Sequence, residues 1–515
     1  MTYASFRRGL ILSATLLCGA VHAADEAPGC KYFPIAELPL SYTGPSLQIT
    51  TEGAIDGVAG PMLVDTGASF SSLTRTATER RGLGLGTSGN YAVGVGGVSR
   101  LYQLRVREFA VGPVKTRGFM AVIGDTGSPP AFDAVIGAPF LLQADVELHL
   151  SEKKMRFLRS RGCDASSFLG YWDGDIFVIP FERQDDKSSN PHFIVEVNGA
   201  KIEAIIDTGA VHSVMSSRAA RKAGLAFGAA GDIKLGNASG VGRDRAPVWG
   251  AKATLKIGDE TVENAEIGII DDDSREFDYD LLLGDDFLRA HRVLFAMSQK
   301  KLYISYVGGE PFKHRTSLEP WLLREAEGGN PDAQLRLASI YRNGDGTAKD
   351  PALAEAWLQK AIAAGSPQAR LQLGQRLMSE GRYGEAAAQL RDALDKLPAE
   401  RNGALSLYTA RLHAGQADLG KRELEAAFAR SNGDDWPRPV ADFYLGRIDQ
   451  AKLLKLAAED ERFGRQRTCS ASAYMIELYR ARGDKAQEDA ARAERRAQCA
   501  PPTQTTSAKT KGDKE

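Results

Sequence analysis

The sequence predicts a multidomain chain, in which a bilobal all-β part is followed by an all-α helical solenoid. The first observation is an internal duplication, built from short β-branched runs that glycines interrupt. The second is a change of composition beyond about residue 316, towards Ala, Leu, Glu, Arg and Gln at helical spacing. The chain of 515 residues is long enough for about two to four domains.

The N-terminus predicts a secretory signal peptide over residues 1–23. Arg7 and Arg8 precede the apolar run 9–21, which is too short to span a bilayer, and Ala23 ends a small-residue cleavage site. A buried N-terminal helix is the alternative. No other segment is long and apolar enough to cross a membrane, so we expect an exported protein, periplasmic in preference to fully secreted.

Four cysteines remain after removal of the predicted signal peptide: Cys30, Cys163, Cys469 and Cys499. An even number in an exported chain indicates disulfides, and four cysteines allow three pairings. We predict Cys30–Cys163, because these two bracket one block of sequence. We predict Cys469–Cys499 because they lie close together near the end. Four free thiols are the alternative.

The duplication relates residues 33–160 to residues 174–308. "PMLVDTGASFSSLTRTATERRGLGLG" aligns with "EAIIDTGAVHSVMSSRAARKAGLAFG", and "FDAVIGAPFLLQADV" aligns with "YDLLLGDDFLRAHRV". Asp65 and Asp207 occupy matched positions, 142 residues apart. The two copies are therefore predicted to share one all-β fold.

A third Asp-Thr-Gly tripeptide, in "VIGDTGSPP", begins at Asp125. It follows a glycine and runs into two prolines, which exclude a continuing strand or helix. In the repeat alignment it lies near Asp271, in a polar loop of the second copy. We therefore predict that Asp125 is a chance occurrence, and that the chemistry belongs to the two matched motifs.

Paired aspartates are suited to hydrolysis. Two carboxylates that face each other across a two-fold axis share one proton, so one acts as a base towards water while the other polarises a carbonyl group. Asp65 and Asp207 are the predicted catalytic pair.

The neighbouring motif residues have supporting roles. Gly67 and Gly209 permit a tight turn at which backbone amides approach the carboxylates. The hydroxyls of Thr66 and Thr208 are predicted to hydrogen-bond across the pseudo-two-fold axis and to hold the two lobes together.

Residues of about 33–308 resemble the retropepsin-like aspartic proteases, in a bacterial, tandem-duplicated form. The motifs that carry the resemblance are "VDTGAS" with "VIGAPF", and "IDTGAV" with "LLGDDF". In that family the apolar-apolar-Gly element packs behind the catalytic loop, a place that Gly137 and Gly284 would occupy here. Ala68 and Ala210 follow the retropepsin pattern, whereas pepsins have a hydroxyl there. The resemblance implies activity in mildly acidic to near-neutral conditions.

The resemblance also implies a flap that closes over the substrate. The first copy offers "YAVGVGGVSR", with Gly94, Gly96 and Gly97, and the second offers residues 235–243. An ordinary glycine-rich hairpin is the alternative. Ser69 corresponds to Val211, so the cleft is predicted to be asymmetric.

Other chemistry finds little support in the sequence. The histidines at 149, 192, 212, 291 and 314 lack metal-ligand spacing, and neither cysteine pair forms Cys-x-x-Cys. We expect no metal and no cofactor. His212 is near Asp207, but a packing or surface role is the simpler interpretation. The formal net charge of -1 gives no basic field for nucleic acid.

The helical part shows a period of 36, since "GNPDAQLRLASIY" aligns with "GSPQARLQLGQRL". The intervening Gly, Asp, Ala and Trp residues resemble a Sel1-like repeat, a relative of the tetratricopeptide repeat. Such arrays present a concave surface to a peptide or protein. We expect a partner or substrate there, and a domain that merely supports the lobes is the alternative.

The predicted function is that of an aspartic endopeptidase acting on a peptide or protein. A catalytically silent peptide-binding scaffold is the alternative, against which both intact motifs argue. The expected boundaries are a signal peptide (1–23), the first lobe (24–160), a linker (161–173), the second lobe (174–308), a helical repeat domain (316–499) and a disordered tail (500–515).

Overall fold

The computed structural model describes residues 30–124, 126, 130–185, 188–229, 232–242, 245–271, 278–313, 318–429, 436–460 and 464–499. The predicted signal peptide and the C-terminal tail lie outside these residues, as do Asp125 and His314.

The first lobe is built mainly from antiparallel strands, and a long hairpin joins residues 97–111 to residues 114–123. Its elements, with three strands that belong to a separate sheet, are β1 (Lys31–Pro39), β2 (Ser41–Thr43), β3 (Gln48–Ile55), β4 (Val58–Asp65), β5 (Ser72–Thr74), α1 (Arg75–Arg80), β6 (Gly86–Gly94), β7 (Gly97–Val111), β8 (Val114–Ile123), β9 (Ala134–Gly137), α2 (Ala138–Leu141), β10 (Asp145–His149) and β11 (Lys154–Arg161). Eight of these strands form one sheet in the order β2-β3-β4-β9-β5-β8-β7-β6, and β3 also pairs with β7.

The second lobe repeats this plan. Its elements are β12 (Phe177–Pro180), β13 (Arg183–Asp185), β14 (Ser188–Val197), β15 (Ala200–Ile206), β16 (Val214–Ser216), α3 (Ser217–Lys222), β17 (Lys234–Ala238), β18 (Ala246–Ile257), β19 (Glu260–Ile270), β20 (Leu281–Leu283), α4 (Asp285–Leu288), β21 (His291–Ala296) and β22 (Lys301–Tyr306). The sheet order β13-β14-β15-β20-β16-β19-β18-β17 matches the first lobe strand for strand.

Tight turns deliver the two motif strands. Asp56-Gly57 joins β3 to β4, and Asn198-Gly199 joins β14 to β15. All four residues have positive φ angles, of 51°, 82°, 49° and 81°. Asp-Gly and Asn-Gly are the residue pairs that tolerate this conformation, which matches the twist of a two-residue hairpin. The same local chemistry therefore sets the start of both motif strands.

The two copies also share a third sheet, in the order β1-β11-β10-β21-β22-β12. Its centre is the antiparallel pairing of β10 with β21, in which Glu147 lies opposite Leu294. The buried Glu147 carboxylate accepts hydrogen bonds from Arg156 and Arg292, each at 2.9 Å. Each copy contributes three strands, so the duplicated units form one body.

A disulfide between Cys30 and Cys163 joins the chain just before β1 to the chain just after β11. These two strands are antiparallel neighbours, and Lys31 lies opposite Arg161. The disulfide therefore ties the outer edge of the shared sheet.

Helices follow the lobes. They are α5 (Pro320–Glu327), α6 (Pro331–Asn343), α7 (Pro351–Ala363), α8 (Pro367–Ser379), α9 (Tyr383–Lys396), α10 (Arg401–His413), α11 (Ala417–Phe428), α12 (Arg438–Tyr444), α13 (Gln450–Ala458), α14 (Gly464–Ala481) and α15 (Lys485–Cys499). Among the residues that the structure describes, no helix has the length and apolar character that crossing a membrane requires. A second disulfide, Cys469–Cys499, joins α14 to the end of α15.

The repeat period has a local cause. Asn330 and Ser366 cap α6 and α8, and each precedes a proline at the first helical position. Three residues after each cap, Ala333 and Ala369 are fully buried. Capping residue, proline and small alanine therefore recur together and give both helices the same start.

The first helices pack directly on the lobes. The Asn330 side chain donates to the carbonyl of Tyr42 at 2.9 Å, and the amide of Gly44 donates to Asp332 at 2.7 Å. The Trp321 ring lies 5.2 Å from the Tyr42 ring and 4.3 Å from the Arg289 guanidinium. One continuous hydrophobic core runs from both lobes into α5–α8.

Candidate active site

The two Asp-Thr-Gly motifs lie at the ends of matched central strands. Asp65 ends β4 and pairs with Gly137 of the parallel strand β9. Asp207 directly follows β15, and its amide donates to the carbonyl of Leu283 in β20 at 2.9 Å. Because both strands are buried in the middle of their sheets, the position of each aspartate is set by the lobe core.

The glycines of the apolar-apolar-Gly elements lie against the catalytic loops, in the place that the family resemblance implies. A Cβ atom on Gly137 would lie 2.6 Å from the carbonyl carbon of Phe70. A Cβ atom on Gly284 would lie 2.7 Å from the carbonyl oxygen of Ala210. Both distances are far below van der Waals contact, so only glycine fits.

Two threonines connect the loops reciprocally. The Thr66 amide donates to Thr208 Oγ1 at 3.0 Å, and the Thr208 amide donates to Thr66 Oγ1 at 3.1 Å. Each hydroxyl also donates at 2.7 Å to a carbonyl of the opposite lobe, that of Ile206 or Val64. All four hydrogen bonds are buried and cross from one lobe to the other.

The aspartates meet at the same place. The two carboxyls influence each other's pKa, and the Gly209 amide donates to Asp207 Oδ1 at 2.7 Å. Each motif glycine faces the aspartate of the other lobe, since a Cβ atom on Gly67 would overlap the Asp207 carboxyl and one on Gly209 would overlap the Asp65 carboxyl. The structure thus brings together all six motif residues singled out in the sequence.

The electrostatics of the pair are unequal. Burial and the neighbouring Asp207 charge raise the pKa of Asp65 well above its ordinary value. Burial also raises the pKa of Asp207, but the amides of Gly209, Gly67 and Ala210 act against that rise. The pKa of both carboxyls is therefore raised, and the protonation of each depends on the other.

A buried carboxylate supports the second catalytic loop only. Ser71 and Ser213 are matched residues, and their hydroxyls accept hydrogen bonds at 3.0 Å from the Gly137 and Gly284 amides. Ser213 Oγ additionally donates to Asp286 at 2.6 Å, and the Ser213 amide donates to the same carboxylate at 2.9 Å. The first lobe has Pro139 at this position, so the loops differ although the motifs agree.

His212 lies beside this carboxylate, with Nδ1 3.8 Å from Asp286 Oδ2. Although burial acts to raise the pKa of Asp286, the interactions with His212 and Ser213 keep it below the ordinary value. The sequence suggested a packing or surface role for His212 and overlooked Asp286. The signal was available in the repeat alignment, where Gly-Asp-Asp at 284–286 replaces Gly-Ala-Pro at 137–139.

Tyr279 is a second residue that sequence reasoning missed. Burial and the charges of Asp207 and Asp65 raise the pKa of the Tyr279 hydroxyl. Its partner in the repeat alignment is Phe132, so only the second lobe brings a phenol into the electrostatic range of the pair.

The glycine-rich segments of the two lobes touch. Gly94 ends β6 and Gly97 begins β7, so Gly96 lies in the connecting turn. Gly96 pairs with Gly242 of the second lobe in an isolated β-bridge. The predicted flap of the first lobe therefore meets the corresponding segment of the second.

The third tripeptide lies mostly outside the described residues, Asp125 included. Thr126 is described, and it forms an antiparallel bridge with Val241. The Thr126 backbone therefore lies beside the glycine-rich segments.

Three other described histidines have separate acidic partners. His149 lies 3.3 Å from Glu152, His192 3.0 Å from Glu203, and His291 2.8 Å from Glu260. Within the described part of the chain, no group of three or more His, Cys, Asp or Glu side chains is arranged to hold a metal ion.

Comparisons with known protein families agree with this geometry. Residues 51–140 match the family described as "Aspartyl protease", and residues 194–290 match "gag-polyprotein putative aspartyl protease". Residues 331–366 match the Sel1 repeat. Each family match to an aspartyl protease contains one of the two motifs.

Individual proteins show more distant similarity. The UBA domain-containing protein Mud1 of Schizosaccharomyces pombe is 29% identical over 180 residues, which cover 31% of this chain. The match spans 52% of that protein, so the chain covers about half the length of this curated relative. A crystal structure of an aspartic proteinase from Irpex lacteus is 13% identical and matches 54% of this chain and 97% of that one, with a TM-score of 0.33.

In fold and in their facing motifs the two lobes are retropepsin-like, and each lobe matches an aspartyl protease family. More particularly, the two lobes are joined in a single chain, which continues into helices that include a Sel1 repeat.

Proposed function

We propose that this chain is an aspartic endopeptidase, in which Asp65 and Asp207 together activate a water molecule. The observation that carries the proposal is the placement of the two carboxyls, each of which lies against the motif glycine of the opposite lobe where the duplicated motifs face each other. The matches of both lobes to aspartyl protease families favour the same class of reaction.

The unequal environments suggest separate roles. Asp207, which backbone amides help to keep ionised, takes a proton from the water as the water oxygen attacks the peptide carbonyl carbon. Asp65, whose pKa is raised well above its ordinary value, holds a proton in this scheme and donates it to the carbonyl oxygen. The resulting diol then collapses as the C–N bond breaks. Asp207 protonates the leaving nitrogen, and Asp65 recovers a proton from one diol hydroxyl.

The touching glycine-rich segments would cover the bound substrate. The bridge between Gly96 and Gly242 is a backbone contact, and beside it the Val95 side chain packs against Val248 and Ile270 of the second lobe. We infer that this contact opens to admit a peptide and closes again to exclude water from the dyad.

Cleavage of a peptide library tests the proposal. The enzyme is compared with Asp65→Asn and Asp207→Asn, which preserve side-chain size, and with Asp125→Asn as the matched control in the third tripeptide. We expect both dyad variants to lose cleavage and the control to retain it. Cleavage that survives in either dyad variant, or that is lost in a folded Asp125→Asn protein, would refute the assignment.

The same assay distinguishes the second candidate. A folded wild-type protein that binds library peptides and leaves them intact at every pH would instead be a peptide-binding scaffold. The retention of both aspartates and both motif glycines favours the enzyme.

We further propose that the protein is exported, to a periplasm in particular. Two disulfides are consistent with an oxidising compartment, and residues 1–23 have the pattern of a signal peptide. Cell fractionation combined with N-terminal sequencing of the mature protein tests this. A cytoplasmic protein that retains Met1 would contradict it.

A further inference from the structure

A long groove runs over the helices beyond the Sel1-matched residues. One cavity of about 310 Å³ lies between α8, α9, α10, α12 and α14, and another of about 640 Å³ lies between α14 and α15. Tyr474, Glu477 and Arg480 line both cavities, so the two adjoin along α14. We call this feature the repeat groove, and it lies entirely within the helical part.

The α8–α10 end of the repeat groove is apolar and aromatic. Met378, Leu405 and Tyr383 line it together with short polar side chains such as Ser406 and Thr409. Leu405 and Thr409 are buried, whereas Met378, Tyr383 and Ser406 are half-buried. The half-buried Met378 and Tyr383 side chains suit an extended polypeptide, whose apolar side chains bury against them.

The wall between the two ends is held rigidly. The Tyr474 hydroxyl donates to Asn402 of α10 at 2.7 Å, and the Tyr444 hydroxyl donates to the Tyr474 carbonyl at 3.0 Å. The Cys469–Cys499 disulfide ties α14 to α15, and Cys499 itself lines the larger cavity. A surface whose side chains are already ordered loses little entropy when a ligand binds.

The opposite end of the repeat groove is basic. Four arginines line the larger cavity, at positions 480, 492, 495 and 496. Glu488, which is only 8% exposed, accepts from Arg480 at 3.2 Å and from Arg492 at 2.6 Å. Glu477 accepts from Arg480 at 2.8 Å. Two carboxylates therefore face four guanidinium groups.

The unneutralised charge belongs to the last turns of α15. Within the described residues, Arg495 and Arg496 have no acidic partner, and both are exposed to solvent. Guanidinium groups form paired hydrogen bonds with carboxylates, so this end of the groove complements an acidic ligand.

We propose that the repeat groove binds an extended polypeptide segment in which acidic side chains lie next to apolar ones. The apolar side chains would occupy the α8–α10 end, and the acidic ones would face Arg495 and Arg496. Nucleic acid fits less well, because the basic residues occupy one end only and Glu477 and Glu488 lie among them. The proposal concerns a surface separate from the dyad and does not depend on catalysis.

The binding test uses the full chain with Asp65→Asn, so that no peptide is consumed. Two dye-labelled peptides of equal length are compared by fluorescence anisotropy. One alternates leucine with aspartate or glutamate, and in the other each acid is replaced by its amide. We expect saturable binding of the acidic peptide that weakens as salt increases, with an affinity at least about tenfold higher than that of the amide peptide.

Charge reversal then locates the site. Arg495→Glu combined with Arg496→Glu should reduce the affinity for the acidic peptide at least about tenfold. Lys421→Glu combined with Arg422→Glu is the matched control, because this pair is also adjacent, basic and exposed, but lies on α11 and does not line the groove. The control should bind as the unreversed protein does.

Three results would overturn the proposal. The first is equal affinity for the acidic and the amide peptide. The second is full affinity after reversal of Arg495 and Arg496 in a protein with an unchanged circular dichroism spectrum. The third is that an oligonucleotide binds more tightly than the acidic peptide and displaces it from the groove.

Discussion

Thr66 and Thr208 exchange hydrogen bonds across the boundary between the lobes, each amide donating to the other threonine's hydroxyl, at 3.0 and 3.1 Å. The two residues are 142 positions apart in the chain. Since the hydroxyls also donate to Ile206 and Val64 carbonyls, each threonine satisfies two buried backbone groups of the opposite lobe. The relative position of the two aspartates depends on this exchange.

Replacing either threonine by valine, which has a similar shape, should therefore destabilise the protein. Each substitution leaves a buried amide without its threonine partner and removes one donor from a buried carbonyl, although the Ile206 carbonyl keeps a hydrogen bond from Asn190. We expect a loss of about 1–3 kcal/mol in the free energy of unfolding. Urea denaturation measures the loss. Thr87→Val, at an exposed position of β6, is the control and should change little.

The double variant Thr66→Val with Thr208→Val provides a sharper test. Because the two residues act as one network, the combined loss should be smaller than the sum of the single losses. Strictly additive losses would mean that the two threonines do not act together.

The motif glycines give a second prediction. Gly67→Ala and Gly209→Ala each place a methyl group where the opposite aspartate lies. We expect peptide cleavage to fall at least about a hundredfold, because displacement of a reacting group by about 1 Å has effects of this size. Gly84→Ala is the control, since nothing lies within 4 Å of a Cβ atom built there. Undiminished cleavage in either motif variant would place the reaction elsewhere.

The raised pKa values of the dyad predict how stability depends on pH. The folded state holds a proton that the unfolded chain releases near the ordinary pKa of an aspartate. The stabilisation from this bound proton is therefore complete below the ordinary pKa and is lost as the pH rises through the higher pKa of the folded state. The loss approaches about 1.4 kcal/mol per pH unit over that interval.

In the Asp65→Asn variant the side chain no longer titrates, so the bound proton no longer contributes to the pH dependence of stability. This variant should be more stable than the wild type at neutral pH, and the difference should shrink towards acidic pH. Urea denaturation at several pH values measures the effect. Asp173→Asn, at an exposed position, is the control. We expect the wild type to lose stability relative to Asp65→Asn as the pH rises from mildly acidic to neutral. A gain over this range would contradict the prediction.

The pH dependence of cleavage follows from the same pair. Activity needs one ionised and one protonated carboxyl, so the rate should have a bell shape with its maximum in mildly acidic to near-neutral conditions. The absence of a hydroxyl at Ala68 and Ala210 favours this range over that of a pepsin. Initial rates measured over the full pH range test this, and a maximum near about pH 2 would refute it.

The matched serines give a prediction about the asymmetry of the lobes. Ser213→Ala removes a 2.6 Å hydrogen bond to the buried Asp286 carboxylate, whereas Ser71→Ala removes only the bond to Gly137. We expect Ser213→Ala to cost about 2–4 kcal/mol at neutral pH and Ser71→Ala about 1 kcal/mol. Thermal and urea unfolding measure both losses.

This difference should itself depend on pH. The pKa of Asp286 is lowered in the folded state. Its contribution to stability is therefore present above the ordinary pKa of an aspartate and is lost as the pH falls through the lower pKa of the folded state. The two alanine variants should therefore converge at acidic pH. Equal losses at neutral pH would show that Asp286 does not support the loop.

Local signals in the sequence were sufficient for much of the fold. The duplication appears as repeated motifs because each lobe uses the same buried strands and turns, and the helical period reflects the recurring cap, proline and alanine at 330–333 and 366–369. Comparing the copies also separated Asp65 and Asp207 from the third tripeptide. These features depend on neighbours within a few residues, which a sequence displays directly.

The tertiary structure decided how distant segments meet. The six-stranded sheet that unites the copies, the contact of Gly96 with Gly242 and the position of Asp286 beneath Ser213 all join residues that no local pattern connects. The repeat groove arises in the same way, from helices whose individual patterns report only that each is amphipathic. The sequence by itself predicted which residues would carry the proposed chemistry. Only packing between the lobes and between the helices decided their distances, because burial, and with it the pKa of each aspartate, is a property of the assembled chain.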